Sequence, residues 1–474
     1  MQRPSLILLA LLTAVLFAGC RTKSPPSLAE IQRQALPNIA LTNAWKAGGA
    51  AGLIQDDWLA TFNDEQLNAL VYEAVTNNLD LRVSATRVEQ AGQYVELAKA
   101  ALRPRLAIAG TGGFKGGGGS DVSSALQGIM LAASWEPDLW GRMRYGRNAA
   151  QADYASAQAD FQFARQSLAA TTAKSWFTAS ETWLQMQLAA DMVKSAEELV
   201  TLAEKRRQVG AGSEQDVALA RANVGSFKDT AKQVSLAHQQ ALRALELLLG
   251  RYPSAELAAR ENLPALPGPV PVGMPLESLE RRPDLIAAER RVAAAFNRVG
   301  EAKAARLPRI TLNGSVAAIE SDVLDLKPDF QNPIGGFGAD LVAPIYTGGA
   351  LQTQVKIRTI EQKAAVAEYA AMALRAIGDV ENALAAGQNL AERGQLLDQT
   401  VADQQRALEL AQTSYRVGKI DLRSVQQQQL NVYAARLTSL RVQGEQLSQR
   451  ANLHLVLGGS FETAPPQQTQ VTVK

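Results

Sequence analysis

AKAALRPR at residues 98–105 returns 204 positions later as AKAARLPR at residues 302–309. Three further pairs of segments match in the same order, with offsets that drift from 204 to 208: Asp80-Leu81 with Asp284-Leu285, Val209-Gly210 with Val417-Gly418, and Leu249-Gly250 with Leu457-Gly458. One match between alanine-rich segments arises easily by chance, but an ordered series indicates an internal repeat. The chain is therefore a tandem repeat over roughly 75–250 and 279–458.

Each repeat predicts the same series of elements. A helix stops before a proline, and a two-stranded hairpin, a long helix, a short glycine turn and a second long helix follow. In the first repeat these elements are expected at 79–102, 105–138, 148–209 and 213–250. In the second they are expected at 283–306, 309–346, 350–417 and 421–458. The predicted fold class is mainly α with a small β part.

Apolar and polar residues alternate along the expected strands. In the second hairpin Ile310, Leu312 and Val316 share one face, opposite Thr311 and Asn313. A membrane barrel strand has this pattern, with lipid on one side and water on the other, and so does a strand of a soluble sandwich. The alternation leaves both open. A membrane barrel would have to be shared between chains, because single-chain barrels start at about eight strands.

The long helices carry a stripe of apolar residues like that of a coiled coil. No proline interrupts 148–209 or 350–417, and sixty helical residues extend about 90 Å. In the second helix the stripe follows three- and four-residue spacing, with breaks at Gly394 and Gln404. Its members are Leu390, Leu397, Val401, Leu408, Ala411 and Tyr415. The pattern indicates helices packed side by side, either in a wall or in an antiparallel spacer.

The N-terminal residues resemble a bacterial lipoprotein leader. Arg3 precedes an apolar run over 6–18, which is too short to span a bilayer and is typical of a signal peptide. The run ends in Leu16-Phe17-Ala18-Gly19-Cys20. We expect a signal peptide over 1–19 and a covalent lipid on Cys20 of the mature chain. Cys20 is the only cysteine, so no internal disulfide is expected.

The composition argues against several other functions. The formal net charge is +2 and no dense basic run is present, so nucleic acid is not an expected partner. The two histidines, His238 and His454, have no second ligand at metal-binding spacing. No phosphate loop or nucleophile elbow occurs. The sequence therefore predicts no enzyme activity, no metal and no cofactor besides the lipid on Cys20.

Three motifs at the ends of these elements resemble the outer membrane factor family, the TolC/OprM-like proteins. The resemblance is strongest to the lipoprotein (NodT-like) branch that serves resistance-nodulation-division (RND) pumps. The motifs are Trp58-Leu59-Ala60-Thr61-Phe62-Asn63-Asp64, Trp135-Glu136-Pro137-Asp138-Leu139-Trp140-Gly141-Arg142 and Arg281-Arg282-Pro283-Asp284-Leu285. The similarity extends over essentially the whole chain after the leader.

The resemblance implies a homotrimer that is lipid-anchored in the outer membrane and extends into the periplasm. Each chain would give four strands to a trimeric 12-stranded β-barrel and its long helices to a periplasmic α-barrel. The repeats at 58–250 and 279–458 would be joined by an equatorial region made of 20–57, 251–278 and 459–474.

The implied function is the exit duct of a tripartite efflux pump for small molecules. A periplasmic adaptor protein and an inner-membrane RND pump would be its partners. A duct for type I protein secretion stays open as an alternative, and so does a periplasmic coiled-coil lipoprotein without a pore.

The same resemblance implies two kinds of site at the helix–helix turns. The adaptor-contact tips would be Val209, Gly210 and Ala211 in one turn and Val417, Gly418 and Lys419 in the other. The periplasmic gate would comprise Asp216, Tyr415, Arg416, Ser424 and Gln427. TolC has aspartates at the last two of these positions. Serine and glutamine would make the constriction less acidic, held partly by neutral hydrogen bonds.

Overall fold

The computed structural model describes residues 22–37, 44–114, 124–259, 261–320 and 333–462. The helices are α1 (Leu28–Ala35), α2 (Glu65–Asn77), α3 (Leu79–Ala100), α4 (Arg142–Gln208), α5 (Glu214–Leu248), α6 (Pro275–Arg281), α7 (Pro283–Ala304), α8 (Ala350–Arg416) and α9 (Leu422–Leu457), with a 3-10 turn at Trp58–Phe62. The strands are β1 (Arg105–Phe114), β2 (Ser124–Trp135), β3 (Arg309–Glu320) and β4 (Ile334–Val342). The proposed leader, Cys20 and the end of the expected C-terminal tail lie outside the described residues.

The chain forms two compact units, and each unit draws on both repeats. Unit 1 comprises Met1–Asn38, Thr86–Ala159 and Ala287–Ala371. Unit 2 comprises Ile39–Ala85, Asp160–Ile286 and Met372–Lys474. The sequence repeat is therefore not the unit of packing, because equivalent elements of the two repeats pack together.

Unit 1 contains an antiparallel sheet with the strand order β1-β2-β3-β4. The register places Leu131 between Ile108 and Val316, so apolar side chains of adjacent strands share one face. We call this the apolar face; its large exposed members are Leu106, Ile108, Ile129, Leu131, Trp135, Leu312, Val316, Phe337 and Leu341. Thr311 and Asn313 lie on the other face, as the alternation predicted. An apolar surface of this extent is typical of a contact with lipid or protein.

The segment after β2 determines where α4 begins. Asp138 accepts hydrogen bonds from the backbone N–H of Met143 (3.1 Å) and of Arg144 (2.8 Å), which would otherwise lack partners at the helix start. The indole N–H of Trp140 donates to the carbonyl of Pro308 (2.5 Å), which precedes β3. The motif thus joins the two repeats beside the sheet, and α4 begins at 142 rather than at the expected 148.

Unit 2 packs around the first motif. Trp58 is buried and stacks on the imidazole of His454, with 5.7 Å between the ring centroids. Asp64 caps α2, since one carboxylate oxygen accepts from the N–H of Leu67 (3.1 Å). The other oxygen accepts from the indole N–H of Trp176 (3.0 Å) on α4. A buried carboxylate is stabilised by such donors, and here it joins two helices that are distant in sequence.

The Arg281-Arg282-Pro283-Asp284 motif has a structural role in unit 2. The guanidinium of Arg281 donates to Asp56 (2.7 Å). Arg282 is buried and donates to both carboxylate oxygens of Asp284, at 3.1 and 2.8 Å, and to the carbonyl of Val456 (3.2 Å). The motif therefore holds the segment before the 3-10 turn, and the end of α9, against the start of α7.

The apolar stripe on α8 is confirmed. Leu408 and Tyr415 are buried, and the other stripe residues are half-buried. The two breaks lie on the same face: Gly394 and Gln404 are half-buried as well. The expected fold class, mainly α with a small β part, is confirmed by the long helices and the four-stranded sheet. Among the described residues no helix is both long and apolar enough to cross a membrane.

Candidate functional site

Two tight turns, both in unit 2, reverse the chain between its long helices. After α4, the N–H of Ala211 donates to the carbonyl of Arg206 (2.8 Å) and Gly210 has a φ of +71°. After α8, the N–H of Lys419 donates to the carbonyl of Ser414 (2.9 Å) and Gly418 has a φ of +78°. Glycine adopts this left-handed conformation without steric cost, so both turns end their helices in the same way.

Each turn leads into a helix capped by a polar side chain. Ser213 caps α5: its hydroxyl accepts from the N–H of Asp216 (3.1 Å), and Asp216 accepts from the N–H of Ser213 (3.0 Å). Asp421 caps α9 by accepting from the N–H of Ser424 (2.9 Å). These bonds satisfy donors that a helix start leaves unpaired. The large exposed apolar residues of the turns are Val209 and Val417, at 78% and 65% exposure.

Arg206 connects the two turns. One nitrogen of its guanidinium (Nη1) donates to the carbonyl of Tyr415 (2.5 Å) and the other (Nη2) to the carbonyl of Ala211 (3.1 Å). The guanidinium also lies over the ring of Tyr415, 4.6 Å from its centroid. We call these three contacts the Arg206 clamp. The planar guanidinium fork suits such a junction, since it donates in two directions while stacking on an aromatic ring.

Tyr415 lies in the core beneath the turns, with 3% of its surface exposed. Its neighbours include Leu199, Val217, Leu422 and Val425. The phenolic hydroxyl is buried and has no hydrogen-bond partner among the described residues. Burial raises the pKa of Tyr415; the positive charge of Arg206 opposes this rise, and the negative charge of Asp216 adds to it.

The structure therefore brings Asp216 near Tyr415 without a hydrogen bond between them. The Asp216 carboxylate is engaged with the N-terminus of α5. Of the other expected gate residues, the Ser424 hydroxyl donates to Asp421 (2.6 Å) and the Gln427 amide donates to Asn431 (3.0 Å). Both bonds are local to α9 and its capping residue. Arg416 is exposed at the end of α8. The gate role of these residues stays a prediction.

Two contacts near the turns were missed from the sequence. Arg206 belongs to no recognisable motif. The sequence indicated only that a basic residue occupies the last turn of a helix, a position that the helix dipole favours. Gln429 is buried within the run Gln426–Gln429, and its amide donates to the hydroxyl of Ser195 on α4 (3.0 Å). Gln426 and Gln429 are buried whereas Gln427 is exposed, a difference that becomes visible only when the helix face is known.

The described residues include no group of three or more histidine, cysteine, aspartate or glutamate side chains arranged to hold a metal ion. Burial, together with the charge of Arg450, lowers the pKa of the His454 imidazole to about 4. Burial also lowers the pKa of His238. Both imidazoles are therefore expected to be neutral at pH 7 and to act as packing groups.

The fold and the paired turns are those of a channel protomer of the bacterial outer membrane. The structure of the open state of the Neisseria gonorrhoeae MtrE outer membrane channel superimposes with a TM-score of 0.78, covering 94% of this chain and 99% of that chain at 26% identity.

The chain belongs to the outer membrane efflux protein family, which matches residues 70–251 and 274–459. The pyoverdine export outer membrane protein OpmQ of Pseudomonas putida is 29% identical, over 94% of this chain and 96% of its own length. The cation efflux system protein CusC of Escherichia coli O6:H1 is 28% identical, over 96% and 99%. The family resemblance expected from the three motifs is confirmed, and the function is that of an outer-membrane efflux protein.

Proposed function

We propose that three copies of this chain form one outer-membrane duct, the exit of a tripartite efflux pump for small molecules. An adaptor would contact the two turns, and an inner-membrane RND pump would supply the energy. The lipid on Cys20 would anchor each copy. The chain itself would perform no chemistry: its residues would line, close and open a passage.

The main support for this proposal is that the sheet exposes an apolar face. Large apolar side chains of all four strands are exposed on that face. Among the described residues β1 and β4 pair on one side only. An open sheet edge is not tolerated in lipid, because the backbone groups there lack hydrogen-bond partners. Three copies joined edge to edge would supply twelve strands and remove every open edge.

The turns support the second part of the proposal. Both expose a valine beside a glycine, which leaves an apolar tip accessible to a partner. Beneath them, the Arg206 clamp and the Tyr415 core hold the two hairpins together. A partner that pulls the hairpins apart would widen the passage, so opening would be a rearrangement of packed helices.

Lipid anchoring is testable separately from the pore. The described chain begins beside the start of α4, where the N–H of Lys23 donates to the Tyr145 hydroxyl (2.9 Å). A Cys20→Ser variant is expected to lose incorporation of labelled palmitate and to show the mass of an unlipidated chain. Incorporation that persists in this variant would refute the assignment of Cys20.

The central experiment compares neighbouring residues of β2. Leu131 lies on the apolar face and Ala132 on the other. A Leu131→Arg variant is expected to fail membrane assembly, because an arginine facing lipid at the midplane costs about 2–4 kcal/mol per chain. Ala132→Arg would face the water of the passage and should assemble.

Cross-linking and conductance in planar bilayers provide the readout. The proposal predicts a cross-linked trimer and single-channel conductance for the wild type and for Ala132→Arg, and neither for Leu131→Arg. A pore-free monomer for the wild type would refute the proposal, as would equal assembly of the two variants.

A further inference from the structure

Basic side chains exceed acidic ones at the two helix–helix turns. We define the entrance segments as residues 205–216 and 416–423. They contain six basic residues, Lys205, Arg206, Arg207, Arg416, Lys419 and Arg423, and three acidic ones, Glu214, Asp216 and Asp421. Six minus three gives +3 in these twenty residues, against a formal net charge of +2 for all 474. The excess is therefore local to the turns.

The acidic residues of the entrance segments are already engaged. Asp216 and Asp421 accept hydrogen bonds from backbone N–H groups at the starts of α5 and α9. Glu214 pairs with Arg207 within one hairpin. These carboxylates keep their charge, and the net +3 already includes them; the bonds fix them at the helix starts and beside Arg207.

Besides Arg207, which pairs with Glu214, four of the basic residues are exposed: Lys205, Arg416, Lys419 and Arg423. No salt bridge involves them among the described residues. Next to the entrance segments and further along the helices, charges cancel in pairs: Arg221 pairs with Glu204 (2.7 Å), the residue directly before Lys205, and Arg406 pairs with Glu409 (3.2 Å). The surface charge of the entrance segments is consequently positive and is not neutralised by the adjacent helix turns.

The sheet of unit 1 provides a second, independent observation. On the face opposite the apolar face, the charged residues with described side chains are Arg105, Arg309 and Asp340. The carboxylate of Asp340 accepts a hydrogen bond from the Asn313 amide (2.5 Å). The remaining described residues of that face are small, polar or apolar. This face therefore also has a basic excess, by two residues to one.

We propose that the duct favours anionic cargo, and that the positive entrance segments are the element that selects it. The inference deepens the proposed function and rests on it. Three copies would place nine net positive charges around one opening. A narrow passage with low-dielectric walls focuses such a field and raises the local concentration of the opposite charge. The cargo class would be organic anions, with metal cations disfavoured at the entrance.

The test uses the purified full-length trimer in planar bilayers, with potassium chloride as the probe. In a salt gradient around 0.1 M, where the screening length is about 10 Å, chloride should permeate at least about threefold more readily than potassium. In 1 M salt the screening length falls to about 3 Å, and the ratio should approach one. Gluconate should permeate more readily than a cation of similar size.

The test variant combines Arg416→Gln, Lys419→Gln and Arg423→Gln. The matched control combines Lys194→Gln, Lys232→Gln and Lys363→Gln, which removes the same charge from exposed positions more than about 15 Å along the helices from the entrance segments. The test variant should lose the anion preference at 0.1 M, and the control should keep it.

The outcomes separate the two proposals. Openings that prefer potassium in the wild type, or a preference unchanged in the test variant, overturn the inference on anions while leaving the duct intact. A preference lost equally in test and control variants also overturns it, since the effect would then not come from the entrance. The absence of any conductance, including in a variant with a weakened Arg206 clamp, would overturn the duct itself and the inference with it.

Discussion

Removing the Arg206 clamp should loosen the closed end of the duct. In the Arg206→Ala variant, the carbonyls of Tyr415 and Ala211 lose a charged donor, and the Tyr415 ring loses its cation. Hydrogen bonds to a charged group contribute about 1.5–3 kcal/mol, and a cation over an aromatic ring about 0.5–1 kcal/mol. The Tyr415 carbonyl keeps a bond from the N–H of Gly418 (3.0 Å), so the loss is smaller than the sum.

We expect a net loss of about 2 kcal/mol per chain. If opening breaks this clamp, 2 kcal/mol corresponds to about a thirtyfold increase in the ratio of open to closed channels for one chain. Single-channel recording measures this ratio as open probability. In intact cells the same change should admit a large antibiotic that the outer membrane otherwise excludes.

Arg207→Ala is the matched control for this variant. Arg207 is the next residue, carries the same charge and pairs with Glu214 inside its own hairpin, so it does not join the two turns. Arg206→Lys should fall between wild type and alanine, because lysine keeps the charge but not the planar fork. If Arg206→Ala forms intact trimers with the same open probability as Arg207→Ala, the clamp does not hold the duct closed.

Four further variants test single contacts. In unit 2, burial raises the pKa of Glu181 to about 7 from 4.5, a shift that the nearby Glu445 increases while Arg441 and the Gln185 amide oppose it. The folded chain thus binds the proton more tightly than the unfolded chain. The contribution of the Glu181 proton to the free energy of unfolding is fully present below pH 4.5. It is lost as the pH rises to 7, and the loss is about 1–2 kcal/mol after solvent screening. Glu181→Gln should therefore raise the Tm at pH 8 and leave it unchanged near pH 4. Gly444→Ala places a Cβ against the same carboxylate, which is the flexible end of its side chain and can move aside, so it should cost less than about 1 kcal/mol, and nothing in a Glu181→Ala background. Asp64→Ala should cost about 2–4 kcal/mol by thermal denaturation, from a lost cap and an unpaired Trp176 N–H, whereas exposed Glu65→Ala should change little. Tyr415→Phe removes a hydroxyl that makes no hydrogen bond within the described chain, so the Tm should hold. If that hydroxyl closes the gate through Asp216, the open probability should rise several-fold; an unchanged open probability would contradict the gate role of Tyr415.

The parts of the fold that depend on local periodicity could be predicted from the sequence. The alternation along β3 assigned Ile310, Leu312 and Val316 to one face because side chains of a strand alternate by geometry alone. The α8 stripe followed from helical spacing in the same way. The repeat located both glycine turns, since a tight helix reversal needs a left-handed residue wherever it occurs.

Contacts between distant helices could not be predicted in this way. Gly394 was a break in the stripe because it lacks a side chain, yet it faces α9. The Gln446 amide occupies the space where a side chain at 394 would lie, and it donates to the carbonyl of Leu390 (2.8 Å). A polar residue on one helix thus explains a missing apolar residue on another. No pattern within α8 contains this information, because it depends on which helices are neighbours.

The expected gate shows why residue type alone does not assign a role at a helix end. Aspartate and serine are favoured at gates for their polarity, but they are equally favoured at helix starts, where backbone N–H groups need acceptors. Asp216 uses one carboxylate oxygen, Oδ2, for this purpose, and Ser424 donates its hydroxyl to the capping Asp421. Only the second oxygen of Asp216 remains for a partner, near a tyrosine whose own hydroxyl is unpaired. A link between the two would therefore need the buried Tyr415 hydroxyl to turn toward that oxygen, and it would leave the cap intact. The same carboxylate can start its helix and close the duct, provided that each oxygen serves one of the two roles.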